Sequence, residues 1–454
     1  MHIILLSGGA GQRLWPLSSG VRSKQFLKLL DEGNNAQKKS MLQRVWGQLK
    51  DANLTPFCYI SANRTQGEMI RRHIDEQIVL IEEPEQRDTF PAVALSSSYL
   101  ISKKGIDPNE VVIVLPTDLY IEKEFIETIK KLEKVIEETG ANLAMIGTQP
   151  TTPSTKFGYI KPGKELLDCI FKVNSFHEKP DETTATELIN ESALWNCGIY
   201  AFRLRYIKSQ LEYRGFKANY ENLRLNYSTL PKKSIDYEII EKETNSVVVR
   251  YDGMWRDLGT WSELSNMLNY STSGQVITYG NTLNTTVINE LDIPVAVIGI
   301  QNLIVAASPS GILVSDKNQS HHLKNLPGLF QASQEPNCEE KQTRTIDFSK
   351  KNGFEILTRR VCIQYGSNIS YHSHQEREET WIIIEGEGEV VIDGLFWYVS
   401  QGDVIKIPKL SLHSIRAITT ELMFIELQKG RVVTQDDTTE HCTQWEHIKD
   451  FIRI

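Results

Sequence analysis

The sequence predicts a doubly wound α/β domain, then a short coiled β module, then an all-β domain at the C-terminus. Three observations predict it. The first third alternates short Val/Ile/Leu runs with amphipathic stretches. From Gly274 to Val314, β-branched pieces recur, and from Ile363 to Ile425 apolar and polar residues alternate between glycines. At 454 residues the chain exceeds the usual single domain. The changes of pattern put the divisions at 1–270, 271–335 and 336–454.

In the first domain the candidate strands are His2–Ser7, Phe57–Ser61, Ile78–Ile81, Val111–Leu115 and Asn142–Gly147. Helices are expected near Ser40–Leu49, Gln66–Ile74, Pro91–Ser102 and Glu124–Glu138. Continuous apolar strands separated by helices predict a buried parallel sheet, whose functional groups gather at the carboxyl ends of strands. In the second region, Thr285–Ile288, Val295–Ile298 and Leu303–Val305 are centred roughly nine residues apart, which suggests a compact coil. Ser315–Lys341 is largely polar and reads as a linker. In the last region, Asp393-Gly394 is a hairpin signal.

The composition is that of an ordinary globular protein: 40% hydrophobic, 24% charged, with a formal charge of -8. Such a chain has no global attraction to nucleic acid or to an anionic membrane, so any phosphate must be held locally. No apolar run is long enough to cross a bilayer, and Met1–Leu6 is too short for a signal peptide. The six cysteines form no close pair, so they read as buried free thiols and a cytoplasmic location is expected.

The first strand runs into Gly8-Gly9-Ala10-Gly11-Gln12-Arg13-Leu14-Trp15-Pro16. Glycines let backbone N–H groups approach a phosphate closely. The loop lacks the Gly-Lys-Ser/Thr of a Walker loop, and the dinucleotide fingerprint would need glycine at Leu14. Arg13 adds a planar cation suited to bidentate phosphate contact, and Lys24 is a second cation close in sequence.

With Lys24-Gln25-Phe26-Leu27, this loop resembles the signature of the mannose-1-phosphate guanylyltransferases, within the larger sugar nucleotidyltransferase family. Further matches follow in the family's order: Glu83-Pro84 with Arg87, Thr89 and Pro91-Ala92; Leu115-Pro116-Thr117-Asp118; Phe157-Gly158-Tyr159-Ile160; Glu178-Lys179-Pro180; Trp195-Asn196-Cys197-Gly198; Ser234-Ile235-Asp236-Tyr237; and Trp255–Trp261. The resemblance implies a Rossmann-like, GT-A-like domain that transfers a nucleoside monophosphate, GMP from GTP, to mannose 1-phosphate and releases pyrophosphate. It implies catalytic roles for Arg13 and Lys24, and nucleotide contacts from Gly8, Gly9, Gly11, Arg13, Arg87 and Asp88. Gly158, Glu178, Lys179 and Asn196 would bind the sugar phosphate, and Asp118 and Asp257 would hold Mg²⁺, a cation that prefers oxygen ligands. Where the family has Gly-Arg-Asn-Thr-Ala-Pro-Ala, this chain has Gln86-Arg87-Asp88-Thr89-Phe90-Pro91-Ala92. The Asp-His pair of the family is Asp118-Leu119 here.

The C-terminal domain carries His372-Ser373-His374, Glu379 and, later, His413. Alternation puts His372 and His374 on one face of a strand. With Gly366 and Gly386, the set resembles a cupin metal site. Imidazoles and a carboxylate suit a divalent transition metal without specifying which. Arg377, Trp381 and Glu426-x-Gln428-x-Gly430 resemble the type II phosphomannose isomerase domain often fused to guanylyltransferases, which implies a second activity on mannose 6-phosphate. His372 replaces that family's glutamine, and its Tyr-Gly-Arg ending is absent. The alternatives are a transferase using another base, hexose or heptose 1-phosphate with a non-catalytic cupin, and a sugar-binding cupin whose N-terminal domain is a sensor. The intact set Arg13, Lys24, Asp118 and Asp257 argues against the sensor. The oligomeric state, a homo-oligomer included, is left open.

Overall fold

The computed structural model describes residues 1–8, 12–18, 22–30, 38–74, 78–326, 341–434 and 437–448. The chain divides into two compact units, Met1–Phe330 and Gln331–Ile454.

The strands of the α/β part are β1 (His2–Leu6), β2 (Cys58–Asn63), β3 (Val79–Glu83), β4 (Val111–Pro116), β5 (Leu119–Ile121), β6 (Leu143–Thr148), β7 (Tyr159–Leu167), β8 (Ile170–His177), β9 (Leu194–Arg203), β10 (Ser246–Tyr251) and β11 (Trp255–Asp257). Nine form one sheet in the order β3-β2-β1-β4-β9-β6-β10-β8-β7. Alternation along β1 shows why the sheet is covered on both sides. Ile3 and Leu5 pack with Leu42, Leu49, Ile129 and Leu132 on one face. Ile4 packs with Phe90, Val93, Leu95 and Leu211 on the other. Four expected helices form, as Met41–Asp51, Gly67–His73, Thr89–Lys104 and Lys123–Thr139. Ser40 starts the first with a reciprocal capping box to Gln43.

The sheet departs from the expected parallel pattern at β9. This strand lies between β4 and β6 and runs antiparallel to both. Its reversal brings the start of β9, with Asn196, to the end of the sheet where β4 and β6 finish.

The β module is a coil of parallel pairs. Val287 pairs with Thr272 on one side and Val305 on the other, and Val276 pairs with Val295. Each coil gives two strands, so β-branched pieces recur at about half the coil length. The module packs on the exit of the glycine loop: Leu14, Leu17 and Trp261 share a core with Ile288, Ile304 and Leu313. Ser308 Oγ donates to the Pro16 carbonyl at 2.7 Å. A side chain at Gly311 would lie 2.4 Å from the Trp15 ring. Part of the expected linker is folded: Ser320–Asn325 is a short helix, and Leu323 is buried in that same core.

The C-terminal unit is two five-stranded sheets, with the architecture of a cupin. One contains Phe354–Gln364, Arg377–Glu385 and Glu421–Gly430; the other contains Tyr371–His374, Gly388–Ile392 and His413–Ala417. Val361, Trp381 and Phe424 of the first meet Val390 and Ile415 of the second. Asp393 and Gly394, at φ 48° and 80°, form the hairpin turn. The free-thiol reading fails in part. Cys362 is disulfide-bonded, Cys169 is exposed, and Cys338 lies outside the described residues.

Candidate active site and metal centre

The β5–β11 ribbon brings two distant carboxylates together. Asp257 is registered opposite Leu119, the residue after Asp118. Between the two carboxylates stands Lys24, whose Nζ lies 2.7 Å from Asp118 Oδ2 and 3.0 Å from Asp257 Oδ1. Burial alone would lower the Lys24 pKa, but the two carboxylates outweigh it and raise it. Burial likewise would raise Asp257, but Lys24, then Arg13, pull it below the usual range. Arg13 is exposed on the turn Gln12–Leu14 and acts on Asp257 through its charge. Gly9 and Gly11 lie outside the described residues.

A cleft of about 210 Å³ runs from this cluster across the sheet edge. Asp118, Asp257 and Lys156 line one part of it, and Gly158, Glu178, Asn196 and Asp236 another. Glu178 is buried, and its pKa is pushed up to about 7 by burial first and by Asp236 second; Lys179 opposes the shift. Gly158 has no room for a side chain: a Cβ would lie 2.6 Å from Glu178 Oε2 and 2.7 Å from the Phe176 ring. Asn196 Nδ2 donates to Tyr200 Oη at 2.6 Å and to Asp236 Oδ1 at 3.2 Å, while the Tyr200 hydroxyl donates to Asp236. The Asn196 amide therefore holds Asp236 in place.

Among the described predicted residues of the N-terminal site, Gly8, Arg13, Lys24, Lys179, Arg87 and Asp88 lie outside the lining of this cleft, Lys24 touching it through Asp118 and Asp257. Lys179 pairs with Glu178 and is half exposed. Arg87 donates through Nε to the Leu230 carbonyl at 3.1 Å and pairs with Glu85. Asp88 has φ 71° and ψ -177°, and its carboxylate accepts from Thr89 N at 2.7 Å, capping helix Thr89–Lys104. Asn and Asp both cap helices and tolerate positive φ, which accounts for the family's Asn appearing as Asp.

Sequence reasoning missed four residues here. Lys156 and Asp236 line the cleft, and each stands in or beside a quoted motif. Gln86 replaces a family glycine and donates from Nε2 to the Gly8 carbonyl at 2.8 Å, tying down the loop. Glu83, buried near Gly8, accepts from Ser61 at 2.9 Å and from Tyr227 at 3.1 Å.

In the C-terminal unit, His372 and His413 are directly paired across strands, and Glu379 reaches them from the opposite sheet. All four predicted residues are buried. The ligand nitrogens of His372, His374 and His413 lie within 4.8 Å of one another. Glu379 approaches His374 Nε2 at 3.0 Å and His413 Nε2 at 3.7 Å. Each Nδ1 faces a backbone carbonyl: Ser370 at 2.6 Å, Asp437 at 3.2 Å and Ser411 at 2.9 Å. Carbonyls only accept, so each Nδ1 carries the proton and the Nε2 lone pairs converge. Among the described residues, His413 Nε2 has no hydrogen-bond partner. Burial, then His413, holds the His372 pKa at about 3, which keeps it neutral. Converging neutral imidazoles beside a carboxylate fit a divalent cation, and the carbonyls behind them orient the rings.

The model of the nucleotidyl transferase family matches residues 2–273. The chain belongs to that family. In the remainder of this transferase, the model of the mannose-6-phosphate isomerase C-terminal region matches residues 343–441. The mannose-1-phosphate guanylyltransferase of Sinorhizobium fredii is 29% identical, over 95% of this chain and 89% of its own length. That of Salmonella montevideo is 29% identical, over 96% and 97%. Among solved structures, the mannose-1-phosphate geranyltransferase of Thermus thermophilus superposes with a TM-score of 0.59 at 28% identity, covering 71% of this chain and 97% of that one. Among the described residues no helix is long and apolar enough to cross a membrane.

Proposed function

We propose that this transferase is a mannose-1-phosphate guanylyltransferase, which joins GMP from GTP to mannose 1-phosphate and releases pyrophosphate. The observation that carries the reading is the Lys24 ammonium shared by Asp118 and Asp257 beside a cleft with hydroxyl acceptors. Relatives of that name, aligned over nearly the whole chain, support it. Two anions must be brought together, so cations and alignment do most of the work. Arg13 and the glycine loop bind the triphosphate. Lys24 and Lys156 hold the reacting phosphates. Glu178 accepts from sugar hydroxyls beside Gly158, and Asn196 acts through Asp236. The two carboxylates fit Mg²⁺, which when bound neutralises phosphate charge. A cytoplasmic location goes with a nucleoside triphosphate substrate.

For the cupin we propose a bound divalent transition metal at His372, His374, His413 and Glu379, and interconversion of mannose 6-phosphate and fructose 6-phosphate. The deciding experiment measures pyrophosphate release from each nucleoside triphosphate with mannose 1-phosphate or glucose 1-phosphate and Mg²⁺. GTP with mannose 1-phosphate should dominate. Preference for another base would overturn the guanylyl assignment, and silence with every pair would overturn the transferase reading.

A further inference from the structure

A second cleft, of about 590 Å³, lies where helix Trp261–Met267 gives way to the β module. It shares no lining residue with the transfer cleft. Its wall is polar, with Asn269, Ser271, Asn281, Thr282 and Thr286, and among the described residues it contains no carboxylate. It does contain Lys317, which is 6% exposed. Among the described residues this lysine makes no ion pair; its Nζ donates to Asn284 Oδ1 at 2.8 Å. Burial lowers its pKa.

The ammonium is held by stacked corners of the coil. Asn284 and Asn302, at φ 54° and 58°, occupy left-handed turns. Asn284 Nδ2 donates to Asn302 Oδ1 at 2.7 Å, and Asn302 Nδ2 donates to Asp316 Oδ2 at 2.7 Å. Lys317 is thus pre-positioned through Asn284, its one acceptor among the described residues, and its other ammonium hydrogens are left for a ligand. A desolvated cation facing an acid-free cleft is costly, and an anion in the cleft would offset the cost. Hydroxyl and amide groups around it match a hydroxylated body.

We propose that this cleft binds a phosphorylated sugar, with Lys317 on the phosphate and the Ser, Thr and Asn side chains on the hydroxyls. The inference does not rest on the transfer reaction, because it concerns a different cleft and is tested by binding. The helix on its wall begins beside Asp257, and Trp261 Nε1 donates to the Trp15 carbonyl at 2.9 Å. An occupant therefore sits against the element that joins the glycine loop to Asp257.

The test titrates glucose 6-phosphate calorimetrically into the full chain. Lys317→Gln should weaken binding tenfold or more. Thr282→Trp, which narrows the cleft and leaves Lys317 in place, should do the same, so a folding defect in one variant does not decide the matter. Glu178→Gln and His374→Ala, in the other two sites, should leave this binding intact. Isotherms unchanged in both Lys317→Gln and Thr282→Trp would overturn the site. Glucose binding as tightly as its phosphate would overturn the role of Lys317. Orthophosphate binding as tightly as the sugar phosphate would overturn the role of the hydroxyl-bearing wall.

Discussion

Lys24 Nζ stands 3.0 Å from Asp257 Oδ1 while the same nitrogen holds Asp118, so one buried cation is shared by two carboxylates, one at the end of β11 and one just before β5. Removing Lys24 leaves two carboxylates facing one another without their shared cation, whereas removing either Asp leaves Lys24 paired with the other.

Lys24→Ala and Arg13→Ala are each expected to slow turnover about 30- to 1000-fold, the equivalent of roughly 2–4 kcal/mol for a charge-assisted contact. Asp118→Ala and Asp257→Ala should lose at least as much at saturating Mg²⁺. Steady-state pyrophosphate release checks all four. Changes below about threefold in every variant would make the cluster structural.

Glu178 predicts a pH dependence. Its pKa in the folded chain is raised to about 7 by burial and by Asp236. A raised carboxylate is stabilised in its protonated form, so folding stability falls as pH rises from the ordinary carboxylate range through about 7. Function runs the other way, because only the ionised form accepts from two hydroxyls at full strength. The KM for the sugar phosphate should rise as pH drops below about 7, beyond the change due to the substrate's own titration. Glu178→Gln should flatten that extra dependence; parallel profiles in the two proteins would refute the role.

Gly158→Ala should push against Glu178 and Phe176, since the new carbon would lie 2.6 and 2.7 Å from them. Overpacking of this kind costs about 1–3 kcal/mol. A lower melting temperature and a raised KM for the sugar phosphate are expected together. An unchanged KM in a folded variant would separate Gly158 from the sugar site.

Chelation of the cupin metal is expected to lower the melting temperature of the C-terminal unit. An ion present at about a hundredfold its Kd contributes roughly 2.7 kcal/mol. His413→Ala should lose the metal by elemental analysis. Nucleotidyl transfer should survive chelation once Mg²⁺ is restored, whereas mannose 6-phosphate isomerisation should not. A protein purified without metal, and indifferent in stability to His413→Ala, would defeat the site.

Much of this was legible in the chain itself. The continuous apolar runs at Val111–Leu115 and Asn142–Gly147 stand within a residue of β4 and β6, because a strand buried on both faces has little choice of residue type. His372 and His374 could be placed together because residues two apart on a strand share a face. Arg13 and Lys24 stood out as cations close behind a glycine turn, and their roles came from the ordered motifs around them. Local rules act over a few residues and need no knowledge of the rest of the molecule.

Tertiary structure alone decided the rest. No local signal tells that β9 inserts antiparallel between β4 and β6, which is what carries Asn196 to the cleft. Nothing near Asp257 in sequence reveals that its strand pairs with Leu119 and sets its carboxylate opposite Asp118 across Lys24. The raised pKa of Glu178 depends on burial and on Asp236, and the polar wall around Lys317 depends on how coils stack on a helix. These are contacts between segments far apart in the chain. Their geometry is set by which elements pack together, and electrostatics follows that geometry through distance and exclusion of water.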